Sequence, residues 1–413
     1  MKYYLLAGEA SGDLHGAYLM RAIQRQDTKA EFRFWGGDQM AEIGGQPVVH
    51  YKERAMMGFA QVIAKLPSVL GFIKRAKRDI AAWQPDRLIF IDNSGFNLRI
   101  AKWAKPAGFN THYYIGPQVW ASREGRVKTI KACIDRMYVV LPFVKDFYAK
   151  HDFAVEFVGH PLLDVVGDFL EESGEGKSFK IHEYINTCIH INTKNENPEG
   201  VNEKPGKDQS TDNWTYPIIH KNSPKPPKII ALLPGSRSQE IKAMLPIMLA
   251  AAAELPDYLY VIAQAPGQEQ EFYQSVIDKM SIIPPKLGFV VNATYPLYAS
   301  AHAALVTSGT ATLEAGLFDL PQVVCYKGSW LEYQIASRLI KVDSISLVNL
   351  ALNKKLVPEL IQNELTVKNL SEHLAQIVEG PQREQQLNGL QELKQVLGSS
   401  GAADRAAKFI AAE

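Results

Sequence analysis

Four short stretches of this chain hold residues whose types and spacing can do chemistry on a phosphorylated substrate. The first is Ala7-Gly8-Glu9-Ala10-Ser11-Gly12-Asp13-Leu14-His15-Gly16, directly after an apolar run. Glycines let a backbone approach a ligand closely, and the helix that follows offers free N–H groups. Gly8, Glu9, Ser11, Gly12 and His15 are therefore candidate substrate contacts. The spacing is not G-x-G-x-x-G, which disfavours a nicotinamide cofactor. A plainer reading stays open, a tight turn in which Ser11 or Asp13 caps the helix. The second stretch, Phe90-Ile91-Asp92-Asn93-Ser94-Gly95-Phe96-Asn97, puts a carboxylate at the end of an apolar strand. A hydroxyl that attacks a sugar carbon must lose its proton, and a carboxylate within hydrogen-bond reach takes it. Asp92 is the candidate base and Asn93 stands beside it; a cap on the following turn is the alternative for Asp92.

The third stretch is Leu232-Leu233-Pro234-Gly235-Ser236-Arg237-Ser238-Gln239-Glu240. Gly235, Ser236 and Gln239 lie where a helix start offers donors, and Arg237 adds a fixed cation; together they suit a diphosphate. Ser236-x-x-Gln239 also fits a capping box, and a capped helix start is still an anion site. The fourth, Val306-Thr307-Ser308-Gly309-Thr310-Ala311-Thr312-Leu313-Glu314, repeats the arrangement with Ser308, Gly309 and Thr310. Glu314, about one turn on, can accept hydrogen bonds from two ribose hydroxyls. Two anion sites and a diol acceptor describe a nucleoside-diphosphate pocket.

Strand-to-helix junctions of an α/β fold are what place such loops. Short apolar runs at 3–7, 87–91, 111–115, 136–140 and 155–158 alternate with helical patterns, the first over about 13–25. The same pattern restarts at 229–233, 259–263, 288–291, 303–306 and 322–326. Between them, about 171–227 is rich in Asn, Lys, Glu, Gly and Pro and reads as a linker or insertion. The expected organisation is two Rossmann-like domains facing an interdomain cleft. A first domain covers 1–170, the insertion 171–227, and a second domain 228–385. A helical tail over 386–413 then packs across the domains.

Composition removes several classes. The 413 residues are 46% hydrophobic and 22% charged with a net charge of +1, so no basic field points to nucleic acid. Cys133, Cys188 and Cys325 stand far apart, which argues for reduced thiols, a cytoplasmic address and no zinc site. The N-terminal apolar run stops at Gly8-Glu9, too short for a signal peptide, and no run is long enough to span a bilayer. Over residues 56–78 apolar residues recur at helical spacing beside Lys65, Lys74, Arg75, Lys77 and Arg78. Such a stretch fits an anionic membrane surface or an ordinary core-facing helix with a solvated basic face, and Pro67 would interrupt one straight helix. His160, in Phe157-Val158-Gly159-His160-Pro161, has no metal-ligating residue at ligand spacing and reads as a positioning residue in contact with substrate.

Taken in order, AGEASGD, MGFAQV, IDNSGFNL, YYIGPQVWA, LPFVKDFYAKH, FVGHPLLD, LLPGSRSQEI, SGTATLEAGL and SLVNL resemble the lipid-A-disaccharide synthase family, from residue 3 to about 365 apart from the insertion. The resemblance implies the two-domain GT-B fold and a peripheral, cytoplasmic enzyme of lipopolysaccharide synthesis at the inner membrane. It implies a UDP-2,3-diacylglucosamine donor, a 2,3-diacylglucosamine 1-phosphate acceptor and a β(1→6)-linked disaccharide 1-phosphate product, with UDP released. Inversion at the anomeric carbon without metal or other cofactor is implied as well, and a homodimer using the C-terminal helices. Asp92 matches the family's aspartate, and Glu314 and Asn349 match nucleotide-side positions. Arg237 and the helix start at Ser308–Thr310 would stabilise the departing diphosphate. In one respect the chain departs from the pattern: Gly95 stands where many members carry a second carboxylate, and Ser94 replaces a proline. A two-carboxylate mechanism is thereby removed and the burden falls on Asp92. Two other readings compete: a UDP-N-acetylglucosamine 2-epimerase of the same architecture, and a catalytically silent nucleotide-sugar binder. An NAD-dependent dehydrogenase is disfavoured by the missing fingerprint.

Overall fold

A computed structural model describes residues 1–55, 66–122, 124–173, 227–328 and 344–412. Nearly all of the polar insertion, Cys188 within it, and the Met56–Lys65 portion of the basic amphipathic stretch lie outside the described residues. The chain forms two compact units, one built from Met1–Asp168 with Val396–Glu413, the other from the described residues between Phe169 and Gln395.

The first unit holds a parallel sheet: β1 (Lys2–Leu6), β2 (Glu31–Gly36), β3 (Gln46–His50), β4 (Arg87–Ile91), β5 (Thr111–Tyr114), β6 (Arg136–Val139) and β7 (Glu156–Phe157). Their order is β3-β2-β1-β4-β5-β6-β7. The second unit repeats the plan with β8 (Ile229–Leu233), β9 (Leu259–Gln264), β10 (Leu287–Val291), β11 (Ala303–Thr307), β12 (Gln322–Tyr326) and β13 (Glu359–Ile361), ordered β10-β9-β8-β11-β12-β13. Every residue of β4, β8 and β11 is buried. Continuous apolar runs rather than alternating ones are what a parallel sheet covered on both faces requires. The apolar periodicity therefore located the central strands correctly. It missed β2, β3 and β13. The last two are edge strands; β3 is half exposed and carries Pro47, whose missing N–H is tolerated at an edge.

The first helix runs Ala10–Gln26, three residues earlier than the sequence implied. Its N-cap is Glu9, and no side chain caps it, so neither Ser11 nor Asp13 plays that part. Asp13 is instead buried and turned to a different helix, accepting from the backbone N–H groups of Gly37 (2.7 Å), Gln39 (3.1 Å) and Met40 (3.1 Å) at the start of Asp38–Ile43. Local spacing could not reveal this, because the capped helix begins some 25 residues away.

Past Leu365 the chain is helical over Val367–Val378, Pro381–Leu397 and Ala402–Ala411. Leu390 and Leu393 of the middle helix pack beside Gly316 in the second unit, whereas the last helix buries Ala403, Ala406, Ala407 and Ile410 in the core of the first. The FVGHPLLD stretch is the socket for that last helix. Asp164, on the helix Leu162–Ser173, accepts from Ser400 Oγ (2.9 Å), the Gly401 N–H and the Ala403 N–H (3.2 Å). Arg405 donates to the carbonyls of Val158 (2.7 Å), Ser399 (2.7 Å) and Ser400 (2.8 Å). Gly159 has a φ of +83°, and a Cβ there would lie 2.5 Å from Arg405 Nη2, so only glycine fits.

Asp164→Ala leaves several buried N–H groups at that helix start without an acceptor. It is expected to destabilise the first unit by roughly 2 kcal/mol or more. Hydrogen exchange should show protection lost first over 402–411; unchanged exchange there would mean the carboxylate is dispensable.

Candidate functional site

In each sheet the chain builds outward from its first strand and then returns to that strand's other side. The return falls between β1 and β4 in the first unit and between β8 and β11 in the second. Connections leave such a strand pair in opposite directions, which opens a crevice beyond the carboxyl ends of the strands. The four stretches singled out above are the four loops at those two points.

At the first, Leu6 pairs with Phe90, so the loops starting at Ala7 and Asp92 leave the sheet side by side. Gly8, Glu9 and Ser11 are partly or fully exposed at the start of the Ala10–Gln26 helix. Asp92 and Asn93 both take the left-handed conformation, each with φ of 44°. For non-glycine residues that costs about 1 kcal/mol each, so something must hold them. Asn97 does. Its buried Nδ2 lies 2.8 Å from the Asp92 carbonyl, 3.1 Å from that of Ile91 and 3.3 Å from that of Leu6, tying the ends of β4 and β1 together. The Tyr113 hydroxyl donates to the Asp92 carbonyl as well. With its backbone pinned, Asp92 is an exposed residue whose carboxyl group protein nonetheless crowds. Desolvation and then the charge of Glu9 push its pKa above the usual carboxylate range, partly offset by the Asn93 N–H. Asn93 is the N-cap of Ser94–Ala104 and makes no side-chain cap bond. Ser94 accepts from Arg126 (3.1 Å).

Three of the expected substrate contacts are not at this rim. Gly12, His15 and His160 are buried. A Cβ at Gly12 would lie 3.3 Å from that of Ala7, so the glycine serves strand–helix packing. Burial lowers the pKa of His15 to about 4 and that of His160 to about 3, leaving both uncharged near neutrality. His160 accepts from the Leu162 N–H (3.3 Å) and its own N–H faces the Leu397 carbonyl (3.4 Å), which makes it part of the socket for the last helix.

At the second reversal Leu233 pairs with Val306. The Ser238–Ala253 helix begins at N-cap Arg237, whose side chain makes no cap bond, and Glu240 rather than the expected Ser236/Gln239 pair reaches back to the N-cap N–H. Glu240 accepts from the N–H groups of Ser236 (3.1 Å) and Arg237 (3.2 Å) and from the Arg237 guanidinium (3.0 Å). Ser236, Arg237 and Gln239 are exposed. Gln268, absent from the sequence argument, accepts from Ser238 Oγ (3.1 Å) and is itself held through its carbonyl by Gln264 (2.6 Å). Across the reversal, Gly309 and Thr310 are exposed at the start of Thr310–Leu317, which has no side-chain cap. Ser308 donates to the Ile345 carbonyl (3.0 Å). Glu314 is held beneath this helix start with Tyr298 OH 3.4 Å from its carboxylate, and desolvation raises its pKa to about 7.

Asn349 does not face outward. Its amide donates to the Val357 carbonyl (2.9 Å) and Glu359 (2.8 Å), and its oxygen accepts from the Leu356 (2.8 Å) and Val357 (2.9 Å) N–H groups. Every hydrogen-bonding position of the carboxamide is taken within the chain, so it positions this loop. Glu359 completes that knot by accepting from the N–H groups of Ile345 and Ser346, each at 2.9 Å. No sequence signal pointed to Glu359, and only its fold neighbours give it meaning. Among the described residues no group of three or more His, Cys, Asp or Glu side chains could hold a metal ion, and Cys133 and Cys325 are buried free thiols.

Solved structures of the same architecture exist at low identity. The UDP-GlcNAc 2-epimerase from Neisseria meningitidis, solved with UDP-GlcNAc bound, aligns with a TM-score of 0.65 at 12% identity over 99% of both chains. The glycotransferase of kitacinnamycin aligns with a TM-score of 0.58 at 13% identity, over 99% of this chain and 97% of that one. At these identities the likeness shows the fold alone, two Rossmann-like units of the GT-B type. Sequence goes further. The lipid-A-disaccharide synthase of Syntrophus aciditrophicus is 35% identical over 98% of this chain and 95% of its own length. The family model for lipid-A-disaccharide synthetase matches residues 3–191 and 212–412, and with that span covered the chain belongs to this family of glycosyltransferases, which make the disaccharide of lipid A.

Proposed function

We propose that the chain joins UDP-2,3-diacylglucosamine to 2,3-diacylglucosamine 1-phosphate, with Asp92 as the base. The observation that carries this reading is Asp92, an exposed residue whose backbone carbonyl is pinned by Asn97 at the first strand reversal. In the reaction the acceptor 6-hydroxyl attacks C1 of the donor. A C–O bond forms, the hydroxyl proton passes to Asp92, and the C1–O bond to the diphosphate breaks with its electron pair leaving on UDP. Gly8, Glu9, Ser11 and Asn93 line the acceptor side. Gly235, Ser236, Arg237, Gln239, Ser308, Gly309 and Thr310 receive the diphosphate, and Glu314 the ribose. Negative charge developing on the leaving group is met by Arg237 and helix-start N–H groups. An epimerase would also bind a UDP-sugar here, but it would turn over without an acceptor.

Both substrates are acylated, so we further propose that the helix Leu66–Trp83 meets the membrane surface. Ile73, Ala76 and Ile80 bury one face of it. Leu70, 59% exposed, and exposed Lys74 and Arg78 share the opposite side at four-residue spacing. Pro67 falls in the first turn, where a missing N–H costs nothing. Among the described residues no helix is long and apolar enough to cross a membrane. A basic stripe headed by an apolar side chain suits peripheral contact with anionic lipid.

Three outcomes are expected. UDP release from the donor in EDTA should require the acceptor, and Asp92→Asn should lower it about a hundred- to ten-thousand-fold with UDP binding retained. Because the charge of Glu9 helps raise the Asp92 pKa, Glu9→Gln should move the acid limb of the kcat/KM profile to lower pH. Acceptor-independent release would turn the assignment toward an epimerase or hydrolase.

Glu314 provides a second test. Its folded pKa of about 7 lies above the ordinary glutamate value of 4.5, so the stability its protonated form supports is complete below about pH 4.5 and is lost as pH rises through 7. Glu314→Gln should therefore raise the melting temperature of the second unit above neutrality and leave it nearly unchanged in acid. UDP affinity in the wild type should rise as pH passes upward through 7, and the variant should bind weakly with no such rise. A pH-independent wild type would remove the ribose role.

For the membrane reading, Lys74→Glu with Arg78→Glu should release the protein from vesicles containing phosphatidylglycerol while UDP binding in solution stays intact. Unchanged vesicle binding would exclude this helix as the contact.

A further inference from the structure

Glu240 occupies the donors that the diphosphate reading needs. Its two carboxylate oxygens take the Ser236 N–H, the Arg237 N–H and the Arg237 guanidinium at 3.0–3.2 Å. Gly235 makes the approach possible: its φ is +110°, and a Cβ there would lie 2.7 Å from both the Cβ and the Oε2 of Glu240. The opposite side of the loop is fixed by other means, because Ser238 Oγ is held by Gln268 and Gln268 by Gln264. The Arg237 side chain is 66% exposed and that of Glu240 26%, so the pair sits at the surface, where an incoming anion can reach it.

We propose that Glu240 is an internal counter-anion of the diphosphate site: it keeps the Pro234–Arg237 loop in its receiving conformation and gives up those donors when a nucleoside diphosphate binds. The inference rests on the reading of this helix start as the diphosphate site and adds a role for a residue outside it. Two N–H groups and a guanidinium around one carboxylate form the set of donors that a phosphate oxygen pair takes at a helix start. A diphosphate and a carboxylate cannot share them, because like charges at that separation repel strongly outside bulk water. The loop is braced from the Gln268 side, so the exchange needs only rotation of the Glu240 side chain and leaves the backbone where it is. Glu240 also speeds departure: once the sugar has been transferred, the returning carboxylate competes with bound UDP for the same donors. Glu240 is thus a positioning residue, touching the groups that hold the leaving group rather than the reacting atoms.

The test is the affinity of UDP and of uridine for wild type, Glu240→Gln and Glu240→Ala, measured by calorimetry at low and high salt. Glutamine keeps an oxygen for the loop N–H groups and removes the charge, so the helix start survives. Glu240→Gln should bind UDP about tenfold more tightly than wild type and uridine equally well, with the gain shrinking as salt rises. Glu240→Ala, which loses cap and charge together, should also favour UDP over uridine more than wild type does. In turnover the donor KM should fall in Glu240→Gln without a rise in kcat, since tighter product binding opposes release. Equal or weaker UDP binding in both variants, with melting temperature unchanged in Glu240→Gln, would reduce Glu240 to a helix cap and overturn the proposal. A wild type that binds neither UDP nor uridine would instead remove the nucleotide reading beneath it.

Discussion

Each helix start leaves backbone N–H groups that the helix itself cannot satisfy, and where this chain sends those groups decides where it can bind an anion. Some are closed by side chains from remote sequence: Asp13 closes the start of Asp38–Ile43 and Asp164 that of Ala402–Ala411. At the strand reversals the helices beginning at Ala10, Ser94 and Thr310 have no side-chain cap. The lack of a cap alone is not distinctive, since Gln270–Ile277 lacks one too. The strand reversal gives the open starts their meaning, because there the adjoining connections diverge and leave room for a ligand.

Holding a loop open at such a place has a conformational cost, and the structure meets it with buried amides. Asn97 bridges two strand ends while keeping Asp92 left-handed, and Asn349 binds a loop through all four of its hydrogen-bonding positions. Both act one step behind the proposed substrate contacts. Their replacement would loosen the loops without removing a catalytic group, which in kinetics looks like lost positioning.

The two carboxylates with raised pKa, Asp92 and Glu314, owe the shift first to desolvation. Their settings differ in what comes next. Asp92 has the like charge of Glu9 against it, which favours taking up a proton; Glu314 has the Tyr298 hydroxyl, which favours the charged form. The first arrangement suits a base and the second a hydrogen-bond acceptor held ready for a neutral diol.

Much of this was legible in the sequence. Apolar runs marked the central strands because a doubly covered parallel sheet buries every residue of them, and glycine with small hydroxyl residues after a run marked the junctions. Motif order carried the family. Tertiary structure alone decided which motif residues face outward. Gly12, His15, His160 and Asn349 look like binding residues in a linear reading, yet they are buried, because their partners are distant in sequence or belong to packing that periodicity does not encode. Asn97, Gln268 and Glu359 drew no attention for the same reason: a polar side chain acquires a role only when the fold brings it an unpaired backbone group.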